Sequence, residues 1–303
     1  MVVPASSEIP SPIAPLDVPV RATPPSRQAG GRRYGLIIAW VVLIVTTIIS
    51  LWPMYWLFVQ SLTPTTFTIK TPPDLIPIHA SLSNFAKLFR QAKDYPRWFF
   101  NSALITLSIT CFHIFVDTLA GYGFAKKQFP GKTVLFAILL STLMIPPQVT
   151  LVPLYIVTRK LDLINNPLAV ILQGTANVLG VFLMRQFIQT LPTELEDAAR
   201  VDGCGELGVF WRVILPLSKP AMAALAIFTF VRHWNDFIWP LIVLQKSRFY
   251  TLPVGVASLQ AEFQTDYGII FAGAALAAVP IVVFFLLFQK YFLEGVRLGA
   301  VKG

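Results

Sequence analysis

Four groups of residues in this chain have the types and spacing for chemistry. His113 and Asp117 stand four apart inside an apolar run, which on a helix sets an imidazole beside a carboxylate. Such a pair within a hydrophobic stretch suits a proton relay or half of a metal site, but mutual pairing explains both residues, and Asp117 lies close to the end of the run. No further His or Cys completes a ligand set, and Cys111 and Cys204 form neither a disulfide framework nor a CxxC motif. Arg232 and Asp236 repeat the four-residue spacing beside His233 and Asn235. A charge at the centre of a membrane helix costs about 2.5–3.5 kcal/mol on insertion scales, so these two either neutralise one another or face a wet cavity. Gln173 and Asn177 pose the same choice in amide form, between a polar pathway and interhelical hydrogen bonds. The fourth group, Pro130-Gly131-Lys132-Thr133, looks like the end of a phosphate loop. That loop needs a strand before it and a glycine five residues before Gly131, and position 126 is lysine. The four residues read as a turn, and the chain is not expected to hydrolyse ATP.

The elements that must hold these groups are long and apolar. Only 13% of the 303 residues are charged, and mean hydropathy is +0.66, far from the roughly 25% charge of soluble domains. The apolar runs reach the roughly 20 residues that cross a bilayer as a helix, not the ~10-residue alternation of a barrel strand. The expected fold class is an all-α membrane protein with six transmembrane helices, at 34–59, 99–119, 134–157, 168–188, 221–244 and 268–288. Pro146, Pro147 and Pro153 predict a kinked, bundle-facing third span. The Pro-rich segment 1–33 reads as a disordered tail. The first apolar run is too long, and follows too long a polar leader, to be a signal-peptide core.

The net charge of +9 comes from basic residues scattered between spans, not from a stripe, which argues for lipid headgroups and against nucleic acid. Loops on the side of the N-terminal tail carry fourteen Lys or Arg, against nine in the opposite loops. The positive-inside rule therefore places both termini in the cytoplasm. Trp40, Trp52, Trp56 and Trp98, near span ends or within apolar runs, suit the headgroup boundary better than sugar stacking.

One polar island, residues 194–220, interrupts the apolar pattern. Thr193 and Glu196 have capping-box spacing, so a helix is expected to start there. Leu195, Ala198, Ala199 and Asp202 give it a narrow face, and Glu196 with Arg200 makes an outward i, i+4 pair. Asp202-Gly203 predicts its stop. A second piece is expected from Glu206, with Leu207, Phe210, Trp211 and Ile214 on one stripe and an end at Pro216. Helices this short are marginal in water, so the membrane face, the bundle or a partner with a groove must hold them.

The run Asp197-Ala198-Ala199, then Gly203, then Val213-Ile214-Leu215-Pro216 resembles the "EAA" loop of ABC importer permeases, with Asp197 in place of glutamate and Val213 in place of isoleucine. "SLSNFAKLF" (81–89), "NSALIT" (101–106), "WNDFIWPLIVL" (234–244) and "GAVKG" (299–303) resemble its carbohydrate branch, specifically the maltose-type second permease subunit. The resemblance implies a type I ABC importer permease fold with a core at 97–290. A first helix and extracytoplasmic loop at 34–96 precede the core, and a cytoplasmic tail at 291–303 follows it. It implies a permease subunit of an ATP-driven, binding-protein-dependent importer for a sugar or related polyol, in the cell membrane of a prokaryote. The implied partners are a cytoplasmic ABC ATPase dimer that binds ATP and Mg, a second homologous permease subunit, an extracytoplasmic solute-binding protein and the lipid bilayer. No cofactor is implied for this chain itself.

Carried onto this sequence, the coupling loop 193–219 docks on the ATPase, with Glu196, Asp197, Ala198, Ala199, Asp202, Gly203, Val213, Leu215 and Pro216 as its residues. Gln173, Asn177, Asn235 and Asp236 stand as candidates for the translocation pathway. Lys302 and Gly303 read either as ATPase contacts or as a frayed basic end. Two alternatives stay open: the same architecture carrying a non-sugar solute, and a proton-coupled secondary transporter using His113 and Asp117. The second leaves the island unexplained.

Overall fold

The computed structural model describes residues 29–64, 75–76, 80–263 and 266–300. The segment 1–28 and the C-terminal Lys302 and Gly303 fall outside them. Among the described residues every regular element is helical, as the composition requires. The chain divides into two units at Pro53, a residue inside the first helix.

The first unit is the leading part of α1 (Ala29–Leu62), which starts within the segment read as a tail. From Tyr34 onward its side chains are exposed and overwhelmingly apolar. Its two threonines turn their hydroxyls back onto the helix, Thr46 to the Val42 carbonyl at 2.8 Å and Thr47 to that of Leu43 at 2.7 Å. Both threonine hydroxyls are thus satisfied within the helix, as a helix standing in lipid requires.

The second unit begins at Met54 with the remainder of α1, followed by α2 (Ser83–Gln91), the long α3 (Tyr95–Lys126), α4 (Lys132–Ser141), a 3-10 turn at Thr142–Met144 and α5 (Pro147–Lys160). Then come α6 (Leu168–Gly174), α7 (Leu179–Ile188), α8 (Glu194–Val201), α9 (Glu206–Val209), a π-helical turn at Phe210–Ile214 and α10 (Leu215–Leu217). It ends with α11 (Lys219–Trp234), α12 (Ile238–Val243), α13 (Leu252–Glu262) and α14 (Tyr267–Ala300). The last helix continues past residue 290, where a tail was expected.

α3 is the central post, packed most extensively on α7 and α11, and α11 packs in turn on α14. Lipid supplies no hydrophobic drive between helices, so close approach and van der Waals contact must hold them. Glycine permits that approach where α3 crosses α7. A Cβ on Gly121 would stand 2.7 Å from the Met184 Cβ, and one on Gly180 only 1.7 Å from Asp117 Oδ2.

Three helices are each long and apolar enough to cross a membrane: Tyr34–Leu62, Tyr95–Lys126 and Tyr267–Lys290. The other three expected spans are not single helices. The third is bent by 98° between Lys132–Met144 and Pro147–Lys160, because Ile145, ahead of Pro146, is forced into extended backbone. The expected kink is there; no residue of α4 and only Thr158 of α5 is fully buried, while Leu151, Leu154 and Tyr155 of α5 face the bundle, packed against a buried cluster that includes Ile105, Val170 and Trp239. The fourth bends by 42° between Leu168–Gly174 and Leu179–Ile188, where the Asn177 side chain accepts the Leu179 N–H at 2.9 Å and restarts the helix. The fifth, expected at 221–244, stops at Trp234 and resumes at Ile238. Trp98 does not turn its ring to headgroups as expected: it is 3% exposed, and its indole N–H donates to the Ser247 carbonyl at 2.8 Å.

Candidate functional site

The polar island folds into two helical pieces joined at Gly203. α8 starts at Glu194 as expected, but not through a capping box: Thr193 makes no side-chain cap, and its hydroxyl accepts from Lys126 Nζ at 3.3 Å. Glu196 has better partners than a helix end. It is 1% exposed, with Arg200 Nη2 at 3.2 Å, Lys126 Nζ at 3.6 Å and Lys127 Nζ at 3.9 Å from its carboxylate. The Tyr122 hydroxyl donates to it at 3.3 Å. The Glu196–Arg200 pair therefore forms, but on the inside, because a buried carboxylate needs cations and the C-terminal end of α3 supplies two.

Glu206 extends this cluster. It bonds Lys127 and, at 3.3 Å, Arg200 Nε. The Lys127 ammonium chiefly, then Arg200, holds the Glu206 carboxyl below the usual carboxylate range. That contact is complete at neutral pH and is lost only as acidification passes the lowered value.

The helix stop is a Schellman motif. Gly203 N–H meets the Arg200 carbonyl at 3.0 Å and Cys204 N–H the Ala199 carbonyl at 2.9 Å, with Gly203 at φ +84°. A Cβ there would touch nothing within 4 Å, so a substitution acts through backbone strain alone. Gly203→Val is expected to leave membrane insertion unchanged and to lower uptake about tenfold or more, from a strain of about 1–3 kcal/mol. Quantitative membrane-fraction blots beside solute uptake check it, and normal uptake would remove the hinge from the mechanism.

Beyond the hinge, Val209, Phe210 and Ile214 are buried, while Leu207 is 71% and Trp211 51% exposed. The expected stripe is thus corrected by register. Pro216 has no N–H to close an α-turn onto Arg212, and the Leu215 N–H reaches the Phe210 carbonyl instead, giving a wide turn. The buried face instead runs through Val209, Phe210 and Ile214, with Val209 on the core beside Tyr122 and Met184. The narrow face expected on α8 also divides: Ala199 is buried, while Leu195, Ala198, Asp202 and Val201 (88% exposed) face out. Asp197 is outward too, paired with Arg200 Nη1 at 2.7 Å. Val213 and Leu215 are half-buried and Pro216 is exposed.

A cavity of about 570 Å³ opens where three helices are interrupted. Gln148, Leu151 and Leu154 of α5, Gln173 of α6, Arg232 and His233 of α11, and the 235–239 break line it. Gln173, Asn235 and Asp236 are brought together there. Asn177 is not: it lines a smaller neighbouring pocket with His113, and its side-chain oxygen is occupied by the Leu179 N–H. Arg232 and Asp236 share the cavity without forming a direct ion pair. The helix ends at Trp234, and Asp236 meets the backbone N–H groups of Phe237 and Trp239.

His113 and Asp117 form a clamp. His113 Nδ1 lies 2.7 Å from Asp117 Oδ2, and its Nε2 lies 3.0 Å from the Gly174 carbonyl, which can only accept. Nε2 is therefore the donor to that carbonyl, and Nδ1 faces the carboxylate. The pair fastens α3 to the end of α6.

Residues 117–298 match the family model described as binding-protein-dependent transport system inner membrane component. The chain belongs to this family. It is 38% identical over 277 residues to the arabinooligosaccharides transport system permease protein AraQ of Halalkalibacterium halodurans, covering 90% of this chain and 99% of that one. It is 32% identical to the lactose transport system permease protein LacG of Rhizobium radiobacter, covering 89% and 98%. It is also 31% identical to the sn-glycerol-3-phosphate transport system permease protein UgpE of Yersinia enterocolitica, covering 87% and 96%. The crystal structure of a bacterial ABC transporter involved in the import of the acidic polysaccharide alginate shares the fold, with a TM-score of 0.73 at 21% identity over 87% of this chain and 98% of that one.

As an inner membrane component of this kind, the chain is a multi-pass membrane protein, and the relatives above are transport permeases, not enzymes. The Pro130–Thr133 stretch fits that: Gly131, at φ +79°, opens α4 after a helix, and Lys132 Nζ donates to the Lys127 carbonyl at 2.6 Å. Sequence reasoning missed Tyr122, Lys126 and Lys127 as partners of the island, since they lie about 70 residues away. It also missed Gln148, whose one local signal is its place directly after Pro146-Pro147.

Proposed function

We propose that this chain is the membrane subunit of an ATP-driven, binding-protein-dependent importer of a sugar or related polyol in the cytoplasmic membrane of a prokaryote. Three long helices and the bent pairs Lys132–Met144 with Pro147–Lys160 and Leu168–Gly174 with Leu179–Ile188, together with α11 and α12 as a sixth crossing, support six spans, and the loop charges support cytoplasmic termini. On this reading 97–290 is the permease core, preceded by the first helix and extracytoplasmic loop at 34–96 and followed by a tail at 291–303. The sugar assignment rests on relatives named for arabinooligosaccharides and lactose.

The observation that carries the mechanism is the build of α8. Its outer surface exposes Leu195, Ala198 and Val201 beside Asp197, while its inner surface is bonded through buried Glu196 to the end of α3. A surface of this kind takes a push from a cytoplasmic ATPase dimer and passes it to the central helix. ATP and Mg belong to that dimer. A second homologous permease subunit completes the passage, a solute-binding protein delivers the sugar outside, and the bent helices supply the two-state elements of alternating access.

Asp197→Lys reverses the charge on the outer surface of α8 and places a cation beside Arg200. Affinity purification of the variant in mild detergent is expected to recover the second permease without the ATPase. Unchanged recovery of the ATPase would refute the contact.

A further inference from the structure

The cavity at the helix breaks has a lining that is only partly spent on the fold: the Trp239 indole N–H donates to the Ala169 carbonyl at 3.0 Å, but several of its polar groups are left over. Its volume of about 570 Å³ falls within the roughly 300–1,000 Å³ of small-molecule sites. Three interruptions adjoin it: the Pro146 corner before α5, the end of α6, and the gap between α11 and α12. Backbone breaks at membrane depth are tolerated where they line a polar cavity, and in transporters they bracket the solute.

Among the described residues, the Arg232 guanidinium and the side-chain amides of Gln148 and Gln173 make no hydrogen bond, and both ring nitrogens of His233 are buried without a partner. Asn235 uses one amide hydrogen on the Val231 carbonyl at 2.8 Å, leaving its oxygen without a donor. Leu151, Leu154 and Ile238 give the same cavity an apolar side.

We propose that this cavity binds one ring of a neutral saccharide during its passage, with Gln148, Gln173, Arg232 and Asn235 on the ring hydroxyls and the leucines against its C–H face. The inference rests on the permease reading above. A hydroxyl both donates and accepts, so a ring that carries several of them suits a wall that mixes a guanidinium, amide groups and an amide oxygen. An apolar solute would leave these groups unpaired at about 1–3 kcal/mol each. An anion would meet the Asp236 carboxylate and an amine would meet Arg232, and since those two charges cancel, the cavity favours neither.

The test uses the assembled importer in lipid nanodiscs without its binding protein, with Cys111→Ser and Cys204→Ser as background. A Gln173→Cys variant and, independently, a Gln148→Cys variant are labelled with a charged methanethiosulfonate reagent. Saturating arabinotriose or lactose, whichever the parent assembly imports, is expected to slow labelling of both thiols about tenfold. sn-Glycerol 3-phosphate is expected to leave them unprotected, and a Gln245→Cys thiol outside the cavity should ignore every solute. Equal labelling with and without sugar, thiols that never react because a neighbouring subunit fills the space, or equal protection by glycerol phosphate each overturn the site. If the parent assembly imports neither saccharide, the sugar reading itself fails. If import is normal and the thiols stay unprotected, only the cavity site fails.

Discussion

Replacing Gly180 by alanine is expected to destabilise the purified chain by about 3–5 kcal/mol, the typical cost of breaking a buried ion pair. The added methyl would lie 1.7 Å from Asp117 Oδ2, 2.7 Å from its Cγ and 2.9 Å from Leu225 Cδ1. The leucine tip can turn away, but the carboxylate cannot: it is buried and held by His113 at 2.7 Å. Relief comes only by breaking that bond or by separating α7 from α3, and the second route also opens the Gly121–Met184 contact. Thermal unfolding in detergent reads the loss. Gly123→Ala on the same α3, where a Cβ meets nothing within 4 Å, serves as the control and should lose nothing. In an Asp117→Ala background the Gly180 change is expected to cost within about 1 kcal/mol, since the space is then vacant. Strict additivity would show that the clamp is not what the glycine protects.

Glu196→Gln is expected to uncouple the importer while leaving it assembled. Glutamine keeps an oxygen for the Tyr122 hydroxyl but removes the charge that Lys126, Lys127 and Arg200 share. Lys126, with a side chain only 9% exposed, then keeps a carbonyl and a hydroxyl as partners but no carboxylate. Losing a hydrogen-bonded charge of this sort costs about 1.5–3 kcal/mol, a factor of about 10–100 in the step that moves α3 with α8. ATP hydrolysis by the co-purified ATPase should therefore persist while sugar uptake falls at least about tenfold. Asp197→Lys, by contrast, should lose the ATPase altogether. Joint loss of both activities in Glu196→Gln through dissociation would mean that Glu196 serves docking and not transmission.

The features legible in the sequence are those set by neighbours along the chain. Long apolar runs marked the membrane helices, and Asp202-Gly203 marked the end of α8 because only a residue tolerant of φ +84° fits there. Local spacing misled where a distant partner won. Thr193 and Glu196 have capping-box spacing, but the carboxylate is drawn inward by Lys126 and Lys127. Arg232 and Asp236 have helical spacing, but the helix stops between them. Hydropathy merged α11 with α12 and α6 with α7, since breaks of four residues or fewer barely alter an average over twenty. Asn177, whose side chain restarts α7, was visible only as a pathway amide. Of the four pathway candidates, the three that share the cavity were legible as polar residues in apolar surroundings, whereas their meeting depended on bends that no period reveals.

The lysines that brace α8 act at two different times. Lys126 and Lys127 are synthesised about 70 residues before Glu196, an interval of several seconds at roughly 5–20 residues per second. Throughout that interval no carboxylate of the island exists to answer them. On the proposed cytoplasmic placement of this end of α3, the insertion machinery meets two bare positive charges of the kind that orient a helix. Once the island emerges, Glu196 and Glu206 pair with the same lysines, so that on this reading an early orienting charge becomes a later brace. A late carboxylate placed beside an early lysine lets one residue serve biogenesis first and architecture afterwards.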